Sequence, residues 1–295
     1  MKTFKIGGVH PHDSKISKDC AIEDFPVLEK AYLSMAQHLG APAEPIVQKG
    51  DKVKVGQLIA KPTGFVSANI HSSVSGTVAA VEPYADLAGN PVMHVIIDVE
   101  GDEWEESIDR TPDVVRDITL SKEEIIKRIQ DCGIVGLGGA SFPTHIKLTP
   151  PPGKVAEYLL INGAECEPFL TSDYRLMIEQ PEQVLIGAKI MMKALDVKKC
   201  RFGVEENKPE AIAKLKSFSA QYPEIEIVPL KKKYPQGGEK QLIEALTGRR
   251  VPSMGLPIDA GAVVQNCGTA LAVYEAVQKN KPLFEGIVTV TGNCS

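Results

Sequence analysis

The chain has 295 residues and a formal net charge of −5, with 43% hydrophobic and 24% charged residues. That length leaves room for two domains, each with its own core, and the acidic balance excludes a general nucleic-acid binder. No apolar run approaches a transmembrane helix, and the amino terminus lacks the apolar core of a signal peptide. The cysteines, Cys20, Cys132, Cys166, Cys200, Cys267 and Cys294, form no C-x-x-C pair, so no metal or cluster site is expected and reduced thiols are.

In chain order, Pro45 to Ala60 alternates apolar and polar residues around Gly-Asp turns. Ile70 to Val78 and Val92 to Val99 read as further strands, and no helical period intervenes. The pattern predicts a small all-β domain over residues 1–105, which resembles a biotinyl/lipoyl-type barrel-sandwich hybrid. In carrier domains of that type a hairpin-tip lysine is modified. Here the tip falls near Gly64-Phe65 and the nearest lysine, Lys61, is offset, so the module reads as structural or docking. Residues 106–120 are a charged, Pro112-containing linker, preceded by the single tryptophan, Trp104.

From about Asp117 the pattern turns to βα alternation over residues 121–285. Ser121-Lys122-Glu123-Glu124 is a capping box opening a helix that ends near Gly133. Gly136, Gly138 and Gly139 then let the backbone approach a ligand and expose N–H groups as an anion-binding concavity, to which Lys147 adds charge. Tyr158 to Ile161 is a strand running into Asn162-Gly163-Ala164-Glu165-Cys166-Glu167, which places carboxylates at the carboxyl edge of a sheet. Two apart, Glu165 and Glu167 point the same way if that segment is extended. Pro181 to Leu195 is a helix, Cys200 to Glu205 a strand, Lys208 to Gln221 a helix behind an Asn207 cap, and Ile225 to Leu230 a strand. The basic run Lys231-Lys232-Lys233 reads as a solvated face. Tyr234-Pro235-Gln236-Gly237-Gly238 opens a helix from Glu239 to Thr247 closed by Gly248. The Val263-Val264-Gln265-Asn266 strand leads into a helix from Thr269 to Lys279. This alternation predicts a mostly parallel α/β sheet with helices on both faces. The six histidines are scattered, and only His145 falls within a motif.

The four turn segments, taken in order, resemble the NADH-oxidising flavoprotein subunit of respiratory complex I and its bacterial relatives. Within that superfamily, the YPQGGEKQLI form and the N-terminal extension resemble the RnfC subunits of Rnf electron-transport complexes, from Phe4 to Cys294. The resemblance implies that Gly136, Gly138 and Gly139 cradle FMN, with Lys147 beside it and Phe142 stacked on the adenine of NADH. It places Asn162 and Glu165 beside the flavin and Glu167, the one catalytic candidate, at its reactive face. It sets Tyr234 and Glu239 in the same cleft, Glu239 toward NADH, and Gln265, Asn266 and Thr269 at the FMN phosphate. The chain departs from the family pattern at Leu137, Ala164, Gly238 and Pro150, mostly on the NADH side.

The same resemblance implies hydride transfer between NAD(H) and FMN, with electrons relayed within a membrane ion-translocating complex, other Rnf subunits as partners and ferredoxin as redox partner. It implies a peripheral position on the cytoplasmic face of the bacterial inner membrane. Residues 286–295 resemble the first strand of a β-grasp domain, with [4Fe–4S] clusters expected only in a domain beyond this chain. The rival reading is a scaffold with a degenerate flavin cleft, like the quinone-handling subunit of the sodium-pumping NADH:quinone reductase.

Overall fold

A computed structural model describes residues 1–86 and 88–292. The chain forms two compact units that interleave along the sequence: residues 24–146 with 275–286, and residues 1–23 with 147–274 and the segment from Ile287 onward.

The first of these units is built on antiparallel β-structure. Its strands are β1 (Lys30–Ser34), β2 (Glu44–Pro45), β3 (Lys52–Val53), β4 (Leu58–Lys61), β5 (Ile70–His71), β6 (Gly76–Ala85) and β7 (Pro91–Val99). They form one sheet in the order β1-β7-β6-β3 and a smaller one in the order β2-β4-β5. Ile59, Ala60 and Ile70 from the small sheet share a core with Val53, Val78, Val95 and Ile97 from the large one, so the two sheets close over a single apolar filling. A register shift between Val78 and Ala80 bends β6. This is the all-β barrel-sandwich arrangement expected from the alternating pattern. Lys61 ends β4 rather than sitting at the tip of the following loop.

Helix α1 (Lys122–Asp131) belongs to the same unit. Ser121 and Glu124 exchange the reciprocal hydrogen bonds of a capping box. The helix stops before Gly133, whose φ of +65° and closeness to the Asn69 carbonyl, which a Cβ would overlap, admit no side chain. Trp104 packs edge-on against Phe284 and carries Arg110 over its ring, which ties the 100–110 stretch down within this unit. The short helix α2 (Thr144–Lys147) follows.

The second unit contains a parallel sheet of β8 (Tyr158–Gly163), β9 (Cys200–Glu205), β10 (Ile225–Leu230) and β11 (Ala262–Asn266), in the order β10-β9-β8-β11. Its helices are α3 (Ser172–Glu179), α4 (Pro181–Leu195), α5 (Pro209–Ser219), α6 (Glu239–Thr247) and the start of α7 (Cys267–Gln278). Alternation along the strands separates two faces. Leu160, Val228, Leu230, Ala262 and Val264 pack with Leu242, Ile243 and Leu246 of α6. Leu159 and Ile161 point the other way, toward the side where α4 and α5 lie against the sheet and one another. Pro181 at the first turn of α4 and left-handed Gly248 after α6 mark the ends that the sequence predicts.

Two local expectations are corrected. Helix α5 begins at Pro209 with Lys208 as its cap residue and no side-chain cap bond, because the Asn207 amide donates instead to Asp13 at 3.1 Å. Helix α3 is an element that the sequence pattern did not reveal; Thr171 precedes it without capping it.

The first 23 residues belong with the α/β unit, although the sequence pattern groups them with the β-domain. Lys2 bridges Leu230 in parallel at the edge strand, Phe4 is buried, and Val9 bridges Tyr234. Lys233 donates to the Phe4 carbonyl and lies over its ring, and Lys232 pairs with Asp13, so two of the three lysines in the basic run are held by this arm. The arm thus runs past the ends of β10 and β9 toward the turn after β8. Residues 286–292 carry no strand; Asn293, Cys294 and Ser295, the end of the expected β-grasp start, lie outside the described residues.

Candidate functional site at the carboxyl edge of the parallel sheet

In the order β10-β9-β8-β11 the chain builds outward from β8 in one direction and returns to place β11 on its other side. The crevice between the carboxyl ends of β8 and β11 is therefore the topological switch point, where parallel α/β sheets bind ligands. Asn162 and Asn266 are register partners at that point. Asn162 donates to the Gly237 carbonyl at 2.9 Å and accepts the Ala164 N–H at 3.2 Å. Asn266 donates to Asp173 at 2.8 Å, and its carbonyl oxygen accepts the N–H groups of Gly268 and Thr269 at the start of α7. Two of the helix donors expected to face a phosphate are thus held by an Asn side chain in this structure.

Glu165 and Glu167 do not share a face. Glu165 takes φ +45°, a left-handed conformation uncommon outside glycine, so the segment is not extended. It turns its carboxylate inward, while Glu167 is exposed. Glu165 Oε1 accepts the N–H of Asp173 at 2.7 Å, and Oε2 pairs with Lys15 at 3.8 Å without a hydrogen bond among the described residues. Burial, reinforced by the neighbouring Asp173 charge, pushes the Glu165 carboxyl up to about 7. Glu167 accepts a hydrogen bond from the Tyr234 phenol, which raises the phenol's pKa.

Lys147 and Glu239, expected on the flavin and nicotinamide sides, form an ion pair at 2.9 Å, and Lys147 also donates to the Val264 carbonyl at 3.0 Å. Both groups are only half-buried, which leaves the pair open to exchange for a ligand. Gly237 fits closely over this edge: a Cβ there would stand 3.4 Å from Ala164, Asn162 Oδ1 and Cys166 Sγ. Cys166 Sγ accepts the Gly237 N–H at 3.3 Å. Thr269 is fully buried at the start of α7.

Gly136, Gly138, Gly139 and Phe142 lie in the other compact unit. There the Gly136 N–H donates to the Phe142 carbonyl at 2.9 Å and Val135 bridges Pro143, which closes a turn. Gly139, at the exposed tip, takes φ +115° with open space around it. The structure therefore brings Lys147, Asn162, Glu165, Glu167, Tyr234, Glu239, Gln265, Asn266 and Thr269 into one unit and forms the glycine turn in the second.

Sequence reasoning missed Lys15, Asp173, Lys208 and Gln236. Lys208 is buried and donates to the carbonyls of Ala164 and Glu165 at 2.7 and 3.3 Å. Asp173 lies on α3, whose existence went unread. Among the described residues Gln236 Nε2 and Gln265 Nε2 are buried amide donors with no hydrogen-bond partner, a condition that costs about 1–3 kcal/mol per group unless a ligand or water accepts. Unsatisfied amide donors, a lysine and glycine-lined turns at a switch point fit a phosphate-bearing aromatic cofactor such as FMN.

Two domain families match the chain. Residues 129–275 match the Nuo51 FMN-binding domain, and residues 2–102 match the RnfC barrel sandwich hybrid domain. The chain is 47% identical over 294 residues to the C subunit of the proton-translocating ferredoxin:NAD(+) oxidoreductase complex of Clostridium ljungdahlii, covering 99% of this chain and 63% of that protein. It is 44% identical over 292 residues to the C subunit of the Na(+)-translocating ferredoxin:NAD(+) oxidoreductase complex of Acetobacterium woodii, covering 99% and 65%. With the C subunit of the ion-translocating oxidoreductase complex of Pseudomonas aeruginosa the figures are 41% over 294 residues, 99% and 38%. The chain belongs to the RnfC family and spans less than two thirds of the length of these relatives, which are C subunits of ion-translocating oxidoreductase complexes. Among the described residues no helix is long and apolar enough to cross a membrane.

Proposed function

We propose that this chain is the FMN- and NADH-binding part of an Rnf-type NADH:ferredoxin oxidoreductase subunit. The observation that carries the reading is the β8–β11 switch point, with its Lys147–Glu239 pair and the unpartnered amides of Gln236 and Gln265, within a region that matches an FMN-binding domain. When bound, FMN supplies hydride acceptance and one-electron release, chemistry that belongs to the cofactor. Lys147 supplies positive charge for it, the Gln265–Thr269 turn faces its phosphate, and Asn162 and Glu165 orient the flavin. Glu239 and Tyr234 line the nicotinamide side with Glu167, and Gly136, Gly138, Gly139 and Phe142, on the turn of the other unit, are further cofactor-binding candidates. The sequence domains, 1–105 for the β-domain, 121–285 for the cofactor domain, 106–120 for the linker and 286–295 for the start of a β-grasp domain, are read as family boundaries rather than packing units, since residues 1–23 pack with the parallel sheet and residues 121–146 with the β-unit.

Family membership supports a wider role as part of the same proposal. The subunit passes electrons onward within a multi-subunit ion-translocating complex, with ferredoxin as redox partner and [4Fe–4S] clusters in the region beyond this chain. It lies peripherally on the cytoplasmic face of the bacterial inner membrane.

The test is an FMN titration of the chain followed by anaerobic NADH. The expected outcome is saturable binding and bleaching of the flavin band. Binding without bleaching would place the fault on the NADH side, where Ala164 and Gly238 depart from the family pattern. Absence of binding would favour the degenerate scaffold.

A further inference from the structure

The loop after β8 is held in an unusual way. Glu165 and Phe169, neither of them glycine, take φ of +45° and +71°, conformations that persist only where surrounding contacts over-determine them. Between them, the carbonyls of Glu165, Glu167 and Leu170 converge on one ammonium, Lys15 Nζ, at 2.9, 2.9 and 2.5 Å. An ammonium has three protons, and these carbonyls use all of them. The Glu165 carboxylate at 3.8 Å therefore gains only counter-charge from Lys15, which agrees with its Oε2 lacking a hydrogen bond.

The lysine does not reach this place alone. The Phe169 N–H donates to the Asp13 carbonyl at 2.9 Å, the Ser17 and Thr171 hydroxyls bond at 2.8 Å, and Asn207 holds the Asp13 side chain. The arm is thus pinned to the loop on both sides of Lys15, whose side chain is 11% exposed. The charged and titratable groups facing Glu165 and its two lysines are Asp13 and Lys15 on the arm, Asp173 on α3, Glu205 at the end of β9, Lys208 before α5, Cys166 beside it and Cys267 on α7. Lys208 is engaged by Ala164 and Asn207, so Lys15 is the cation that bridges the loop's far half.

We propose that Lys15 is a positioning residue for the candidate site: it clamps the Glu165–Leu170 loop at the switch point through three backbone carbonyls, that of Glu167 among them, and supplies counter-charge to the Glu165 carboxylate. The functional consequence rests on the FMN/NADH reading above; the clamp itself does not.

The test compares the 295-residue chain with K15M, which removes charge and donors, and K15Q, which keeps donors without charge. Amide hydrogen exchange over residues 166–170 should quicken at least about tenfold in K15M and less in K15Q, because local opening no longer breaks three ammonium bonds. The Glu165 carboxyl, followed by carbon NMR against pH, should titrate about one pH unit higher in both variants. FMN affinity should fall about tenfold in K15M. Unchanged exchange and an unchanged Glu165 midpoint in K15M would overturn the proposal, and K15Q supplies the same readouts should K15M fail to fold. A parent chain that binds no FMN refutes the flavin reading, while exchange and titration still decide the role of Lys15.

Discussion

Glu165 shows how a buried carboxyl links this site to solution pH. In the unfolded chain it titrates near 4.5, whereas in the fold burial holds it protonated to about 7. Folding therefore takes up a proton between those values, and stability falls as pH rises from about 4.5 to about 7, with the loss complete above that. Glutamine keeps the oxygen that accepts the Asp173 N–H but does not titrate. The stability of E165Q relative to the parent should thus rise between about pH 5 and pH 8, by up to about 3 kcal/mol. Urea unfolding at both pH values checks this, and a difference independent of pH would refute it. The residue scale is also where the sequence was least legible. Glu165 and Glu167 were found by composition and their place after a strand, but one left-handed residue sent them in opposite directions. Lys15 lies 150 residues from Glu165 in the chain, and no local spacing could have joined them.

Secondary elements carry clearer sequence signals, and their weak points are equally specific. Strands β9 and β10 and helices α4 and α6 run over the residues the pattern marked, because proline at a first turn and glycine beyond a last one leave little choice. Helix α3 escaped because its local cap residue, Thr171, makes no side-chain cap bond and the distant Glu165 and Thr289 side chains accept its first N–H groups instead, and Asn207 misled because its amide serves the arm. The Ser121 capping box predicts that S121A costs about 1 kcal/mol, measurable as a lowered urea midpoint with an unchanged slope. Gly187 in the middle of α4 makes a stronger claim. A Cβ there would overlap the Ala270 carbonyl of α7, a backbone group that cannot rotate away. G187A should therefore cost about 2–3 kcal/mol or more despite alanine's better helix propensity. An alanine variant as stable as the parent would show that the two helices separate easily.

At the scale of the molecule, the fold class was legible because period-2 and period-3.6 patterns occupy different stretches of the chain. The interleaving of the two compact units was not, since nothing local says that residues 1–23 leave the β-region to lie along the parallel sheet. The arm caps the end of edge strand β10 through the Lys2–Leu230 bridge and buries Phe4. Deleting residues 1–23 should consequently lower stability by at least about 3 kcal/mol, the cost of losing one buried phenylalanine. It should also open the 165–171 loop to limited proteolysis. Resistance of that loop after the deletion would mean that α3 and Lys208 hold it unaided.

The arm has a consequence for the order of events during synthesis. Its partners lie at residues 165–171 and 230–236, so it leaves the ribosome long before anything exists for it to bind. At about 5–20 residues per second, the first 23 residues wait roughly 10–40 s, with Phe4 and Ile6 exposed to whatever else is nascent. Translation speed, not only final stability, then decides how much of this chain reaches a finished sheet edge.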